Sequence, residues 1–456
     1  MGSANRVARV RRGAAFDGFG RISYTVTNMR KLPILLLAVG LLASCFGAGF
    51  GLYEMDAKST AFGGNVVGKP FGPSTVYYNP AGMSCLTGTS VYVGCTMLYP
   101  PVPFRTWGGG YKETDGRIDP GAFVFPTAFI TQQLPWGLAF GLGFYADFGL
   151  GSKYDDDWAL KYDSIQTDFE GFTLNPALSY KVTDDLSVAA GLRVTYVTYE
   201  TTSLHDFNLG RIMGAGYPNL GINRFTLKAD NARNLGLGFN LGARYQVTDD
   251  ISVGAMYRSP LHTKLQGDAT WNGMAVGGTR AHHAEECITL PQQVTVGFNW
   301  DDFLVEDLHF GMSGSLIGWS SMDRILFDVY NPVYGVVEKD ETALNWRDTV
   351  RVGMGFGYEI TENWEAMIGY VFDKDPSSDS VGNAHTMLPP GDRHVISFGG
   401  AWHTADRRWE VSFVYAPIIM QHSCAAYRAE YGDAIRYMDT TASCTHCVCV
   451  GLQLNF

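Results

Sequence analysis

The sequence predicts an all-β protein, a transmembrane antiparallel β-barrel of about 14 strands with an N-terminal hatch inside the lumen. Three observations carry this. The first is long alternation. In "VRVGMGFGYEI", Val350, Val352, Met354, Phe356, Tyr358 and Ile360 share one face, and Arg351, Gly353, Gly355, Gly357 and Glu359 share the other. "LSVAAGLRVTY", "QVTVGFNW", "WEAMIGYVF" and "WEVSFVY" follow the same rule. The second is the character of the two faces. The polar face holds Gly, Ser, Thr and isolated charges in place of the dense Lys and Glu of a soluble surface, and Trp300, Trp319, Trp346, Trp364, Trp402 and Trp409 mark strand ends like an interfacial girdle. The third is the asymmetry of the connections. Thr183-Asp184-Asp185, Thr248-Asp249-Asp250 and Thr361-Glu362-Asn363 are tight, near-identical turns, whereas 203–222, 271–283 and 374–390 are long and irregular.

Composition agrees. Only 17% of the 456 residues are charged, 13% are aromatic, 54 are glycine, and mean hydropathy is near zero. A bundle of membrane helices would be far more apolar. The net charge is −11, and the first 47 residues carry +6 of it, so the body stands at −17 and offers no footing for nucleic acid.

Residues 1–28 read as an upstream extension without a fold, with Met29 as the natural start. Residues 29–47 form a signal peptide: Arg30-Lys31, an apolar run from Leu32 to Leu42, then small residues. Cleavage before Ala48 fits, and so does a lipoprotein box that would leave Cys45 lipidated. Residues 48–88 do not alternate. Short helix-compatible pieces separated by Gly and Pro make them the hatch domain, and the barrel takes 89–456. Within it the expected strands are 89–99, 121–133, 137–148, 170–182, 186–202, 224–247, 251–270, 284–300, 306–330, 342–360, 363–374, 391–404, 408–421 and 442–456. An even number of strands returns both chain ends to one side. The last strand alternates Val448, Val450, Leu452, Leu454 and Phe456, a terminal pattern like that read by the outer-membrane barrel-assembly machinery.

The ordered series "AGFGLYE", "NPAG" (79–82), "LNPALSYKVTDDLSVAAGLRVTY" (174–196), "LPQQVTVGFNW" (290–300), "GWSSMDRI" (318–325), "NWRDTVRVGMGFGYEITENWEAMIGYVFDKDP" (345–376) and "LPPGDRHVISFGGAW" (388–402) resembles the FadL/TodX family of outer-membrane transporters for long-chain fatty acids and other hydrophobic compounds. The resemblance spans about 48 to 456. It implies a hatch-filled barrel in which ligand is captured outside, enters the lumen and leaves sideways into the membrane. The exit is a wall gap beside an Asn-Pro-Ala motif, here Asn79, Pro80 and Ala81, made by a kink in the third strand. Asp147, Phe148 and Gly149 are the kink candidates, because Asp147-Phe148-Gly149-Leu150-Gly151 is punctuated by glycine.

A fatty acid needs a cation for its carboxylate. Parity places Arg193, Arg258 and Arg351 on the lumen face near mid-height, as carboxylate partners or as members of a salt network with hatch acids such as Glu54 and Asp56. No cofactor and no metal is expected: in "AHHAEEC" (281–287), His283 and Glu285 share one strand face while His282 and Glu286 share the other. Parity also turns Cys424, Cys447 and Cys449 inward and Cys95 and Cys444 outward, so that a disulfide could bridge the final hairpin. The expected partners are a long-chain fatty acid or other hydrophobic molecule, membrane lipid and the assembly machinery, with a monomeric chain. An aromatic or alkane hydrocarbon transporter of the same fold is the nearest alternative. An outer-membrane lipase-like enzyme lacks an assembled Ser/His/acid set, and a general porin conflicts with a filled lumen.

Overall fold

The computed structural model describes residues 49–108, 111–208, 219–322, 324–377, 391–428 and 435–456. The leader, its cleavage point and Cys45 lie outside the described residues, as does most of the 374–390 connection. The chain runs β1 (Thr89–Tyr99), β2 (Val102–Gly108), β3 (Tyr111–Ile118), β4 (Phe123–Gln133), β5 (Leu138–Lys153), β6 (Gln166–Lys181), β7 (Leu186–Asn208) and β8 (Asn219–Ala229). Next come β9 (Leu235–Gln246), β10 (Ile251–Arg258), β11 (Leu261–Gly273), β12 (Gly278–Leu290), β13 (Gln293–Trp300), β14 (Leu308–Ile317), β15 (Arg324–Asn331) and β16 (Val336–Ala343). The last are β17 (Thr349–Thr361), β18 (Trp364–Asp373), β19 (Arg393–His403), β20 (Trp409–Met420), β21 (Ser423–Arg428), β22 (Ile435–Thr440) and β23 (Ser443–Asn455).

The wall closes on itself. β1, β4, β5, β6, β7, β9 and β10 pair in that order, then β13, β14, β17, β18, β19, β20 and β23, which returns to β1. Every pairing is antiparallel, and β8, β11 and β12 prolong one side of the wall. The closed ring runs through fourteen strands, and with β8, β11 and β12 the sheet holds seventeen strand segments among the described residues, against an expected total of about fourteen strands. Within this sheet, three runs expected as single strands are broken. The stretch 224–247 is interrupted at 230–234, 251–270 at Ser259-Pro260, and 284–300 at Pro291-Gln292. Proline has no N–H to give to a ladder, which explains the latter two breaks.

Two further pieces lie outside the barrel sheet. β15 and β16 form a separate hairpin, so the expected strand 306–330 ends at Ile317, where Gly318 opens a 3-10 turn. β2 and β3, read from sequence as a connection, join β22 and β21 in a four-stranded sheet. Pro100-Pro101 separates β1 from β2 and ends the barrel strand there.

The outer face is apolar. Leu174 and Leu178 on β6, Leu237 and Leu241 on β9, Val294 and Val296 on β13, Phe413 on β20 and Val450 on β23 are all exposed at alternate positions. That belt is the surface a barrel turns to hydrocarbon. No helix among the described residues is long and apolar enough to cross a membrane. Trp364, Trp402 and Trp409 are exposed near the short-turn rim, Trp364 directly opposite Trp402. Trp319 and Trp346 are not girdle residues: both are buried and pack on each other and on Phe50.

The inner face is where the glycines matter. A Cβ at Gly254 would sit 2.0 Å from the Val67 carbonyl oxygen, and one at Gly355 would sit 2.2 Å from that of Phe62. These obstacles are backbone and cannot rotate away. Gly254→Val or Gly355→Val is therefore expected to destabilise the folded barrel by about 1–3 kcal/mol, the usual cost of overpacking. Denaturant midpoints in the presence of lipid check this; an unchanged midpoint would mean that residues 49–86 do not press on the wall.

Candidate functional site

Residues 49–86 lie against the inner faces of strands all round the ring. Asp56 caps the helix Ala57–Ala61 through a 2.7 Å bond from the Ser59 N–H, which starts a helical turn in a stretch otherwise broken by glycine. Lys58 on that helix pairs with Glu365 at 2.8 Å and Glu410 at 3.3 Å, on β18 and β20. Ser397 on β19 donates to the Ala61 carbonyl, and Asn299 on β13 donates to the Asn65 carbonyl and accepts from the Gly68 N–H. Arg244 on β9 donates to the Gly68 carbonyl at 2.7 Å, and Thr96 on β1 to that of Glu54.

Asn79, Pro80 and Ala81 form one more anchor. Asn79 is extended, its side-chain oxygen accepts from the Ala81 N–H, and its amide donates to Val67 at 2.7 Å and to Ala243 of β9 at 3.0 Å. Pro80 opens the 3-10 turn Pro80–Cys85, where its missing N–H is no loss. The Ala81 carbonyl accepts from Ser179 of β6 and Ser187 of β7. The ladder is continuous there, so the motif grips an intact piece of wall.

The wall ladder is interrupted between β4 and β5. β4 and β5 pair only between Ala128–Phe144 and Gln133–Ala139. Beyond that, residues 123–127 of β4 stay with β1 and residues 145–153 of β5 stay with β6, so the two strands part. At this level β5 carries a bulge. Ala146 faces Phe172 and Phe148 faces Gly171, which leaves Asp147 as the extra residue. Phe50 to Leu52 lie along the freed edge: the Leu52 N–H donates to the Asp147 carbonyl and the Gly149 N–H to that of Phe50, both at 3.0 Å. Above the parting, the Asp119 N–H donates to the Lys153 carbonyl, which limits its height.

The Asp147 side chain is buried and points to two arginines. Arg193 of β7 donates to one carboxylate oxygen, Arg258 of β10 lies 3.6 Å from the other, and the Thr173 hydroxyl donates at 3.2 Å. Arg193 also donates to the Ser259 carbonyl. Arg258 donates to the Tyr77 carbonyl at 2.6 Å and stacks on its ring at 3.6 Å. Arg351 lies over the Tyr53 ring at 4.2 Å. The three arginines do share the inner face, around a void of about 30 Å³ that also touches Asp147 and Asp373. That is room for about one water. The salt partner of Arg193 and Arg258 is Asp147 of the third barrel strand.

Behind the parting lies a larger cavity of about 470 Å³. Phe123, Val124 and Phe125 of β4 line one side, and Ala146 and Phe148 of β5 the other. Leu52, Ile118, Ile418 and Met420 complete an apolar surface, into which Glu54, Asp373 and Arg393 bring charge. Sequence reading passed over Arg393. Its signal was parity: it alternates with Val395 and Ser397, both buried on the inner face.

The cysteines split. Cys447 and Cys449 are buried on the inner side of β23, as parity requires, but Cys424 sits on β21 in the outer sheet and is exposed. All seven described cysteines are free, and the final hairpin is not bridged.

An apolar cavity inside a closed antiparallel barrel with an apolar outer belt is the architecture of an outer-membrane transport channel. Residues 40–456 match the family described as outer membrane protein transport protein (OMPP1/FadL/TodX), and the chain belongs to that family. Relatives include an outer membrane protein of Neisseria meningitidis serogroup B, 25% identical over 83% of this chain and 88% of its own length. The long-chain fatty acid transport protein of Escherichia coli K12 is 23% identical over 80% and 86%. Among solved structures, a FadL homologue of Pseudomonas aeruginosa superposes with a TM-score of 0.74 at 18% identity, covering 91% of this chain and all of its own. The toluene transporter TodX of P. putida gives 0.67 at 16%, covering 90% and 99%. Family and fold are those of transport channels and not of enzymes.

Proposed function

We propose that the protein takes up hydrophobic small molecules, with residues 49–86 as the hatch that closes the lumen and the parting of β4 and β5 as a lateral exit into the outer membrane. One observation carries this reading: the interrupted β4–β5 ladder opens onto the 470 Å³ apolar cavity. An apolar passenger leaving there exchanges cavity for hydrocarbon and never crosses water, so its burial is kept at about 0.8 kcal/mol per methylene. Asn79, Pro80 and Ala81 hold the hatch in register, and Asp147, Phe148 and Gly149 set the exit. Fatty-acid and toluene transporters both occur among the relatives and neighbours, so uptake of either chemistry fits this frame.

Ala146→Trp tests the exit. Ala146 is buried and lines the cavity from β5, so an indole there fills the passage. Uptake of radiolabelled hydrophobic substrate by cells is expected to be lost at equal surface abundance, with heat-modifiable gel mobility unchanged. Wild-type uptake by that variant would sink the lateral exit.

A further inference from the structure

Two pairs of wall arginines each share one carboxylate. Arg193 and Arg258 meet Asp147. Arg351 and Arg393 flank Asp373 across the two ladders of β18, and neither closes an ion pair with it among the described residues. The hatch adds Glu54, which lies within electrostatic reach of Arg351. Four guanidiniums thus stand against three carboxyls, a surplus of one positive charge with every carboxyl ionised. Arginine keeps its proton, so the surplus cannot titrate away. A buried charge without a partner is costly.

Arg351 is where the surplus lies open. Among the described residues its side chain makes no hydrogen bond and no ion pair; it lies over the Tyr53 ring and is only partly buried. Of its three side-chain nitrogens, Nε alone is sealed. The side chain lines the void of about 30 Å³ and a second void of about 40 Å³. The first also touches Asp147 and Asp373, whereas no Asp or Glu among the described residues lines the second. Arg258 is buried and lines both, and its Nε has no partner. Gln293, Thr295 and Ser315 add neutral polar groups to the second void. The Thr295 and Ser315 hydroxyls share one hydrogen bond of 2.8 Å, and Thr295 accepts from the Gln293 amide at 3.0 Å. One of the two hydroxyl protons is therefore left for another acceptor. Space sets the size of the occupant. A void of about 40 Å³ takes a particle of the size of water or somewhat larger, while a drug-sized or alkyl ligand needs roughly ten times as much. Water would leave the surplus charge in place; a small anion cancels it.

We propose that the second void holds one small inorganic anion, a halide such as chloride, between Arg258 and Arg351 and against the spare hydroxyl. Neither arginine lines the 470 Å³ cavity, so the site is separate from the passage and independent of what the protein carries. The test uses the purified full chain in lipid nanodiscs, titrated with sodium chloride against sodium gluconate at matched ionic strength. Chloride is expected to raise the denaturant midpoint in a saturable way, and bromide to do the same, because gluconate is too large to enter. Arg351→Met is expected to weaken the apparent affinity for chloride at least about tenfold, the order lost with a hydrogen bond to a charged group. Crystals of the native protein grown in bromide give a readout that needs no variant: an anomalous peak between the Arg258 and Arg351 guanidiniums. Equal midpoints in chloride and gluconate, a chloride effect undiminished in Arg351→Met, or a void filled by water alone in the bromide crystals would each overturn the inference and leave lateral transport standing.

Discussion

Asp147→Ala is expected to lower the stability of the folded barrel by about 3–5 kcal/mol, the range for removing one partner from a buried ion pair. The loss arises because Arg193 and Arg258 remain buried on the inner face without their carboxylate. Arginine stays protonated under any relevant condition, so neither side chain can escape by losing its charge. Denaturant unfolding in nanodiscs measures the change. A companion variant separates charge from shape: Asp147→Ala with Arg193→Met removes the orphaned guanidinium together with its partner and should recover part of the loss. An Asp147→Ala barrel as stable as the native one would show that the arginines are solvated in the folded state. The same substitution loosens the bulge of β5, so uptake should fall more than stability alone explains.

Deleting residues 49–86 should leave a barrel that assembles and conducts. The wall strands pair with one another independently of the segment, while Phe62, Asn65, Val67 and Ala81 lie directly against inward glycines and asparagines. With them gone, Asn299, Arg244 and Glu365 would line a water-filled bore. Single-channel recording in planar bilayers is the measurement: large, steady conductance from the deletion, little from the native chain. A deletion variant that inserted and stayed closed would remove the hatch from the proposed function.

Much of the wall was legible in the sequence because a strand alternates with period two and each residue reports its own face. Arg193 and Arg258 were assigned inward by parity alone and are buried there. The turns at 183–185, 248–250 and 361–363 fall at strand ends where their Thr-Asp or Thr-Glu chemistry placed them: the Thr183, Thr248 and Thr361 side chains each accept from an N–H across the turn. What was not legible was which inward groups meet. Asp147 finds Arg193 and Arg258 on strands far along the chain, a matter of ring closure and bulge geometry that no local pattern records. The same holds for Trp319 and Trp346. Each ends a strand-like run, as a girdle residue would, yet both turn inward onto Phe50. The outer sheet escaped notice because β2 and β3 come before β4 in the chain while their partner β22 comes just before β23.

Residues 49–86 and the wall hold each other's buried polar partners. The segment that touches every side of the wall is made first, and the strand that completes the wall, β23, is made last. Its Gln453 lies against Gly72, and Phe456 exchanges backbone hydrogen bonds with Thr89, directly after the segment ends. A ring sealed without the segment would enclose Asn299 and Asn240 without their partners Asn65 and Val76, and Glu365 and Glu410 without Lys58. With the segment in place, closing the seam between the first and last strands leaves a packed lumen; without it, the same seam closes over water.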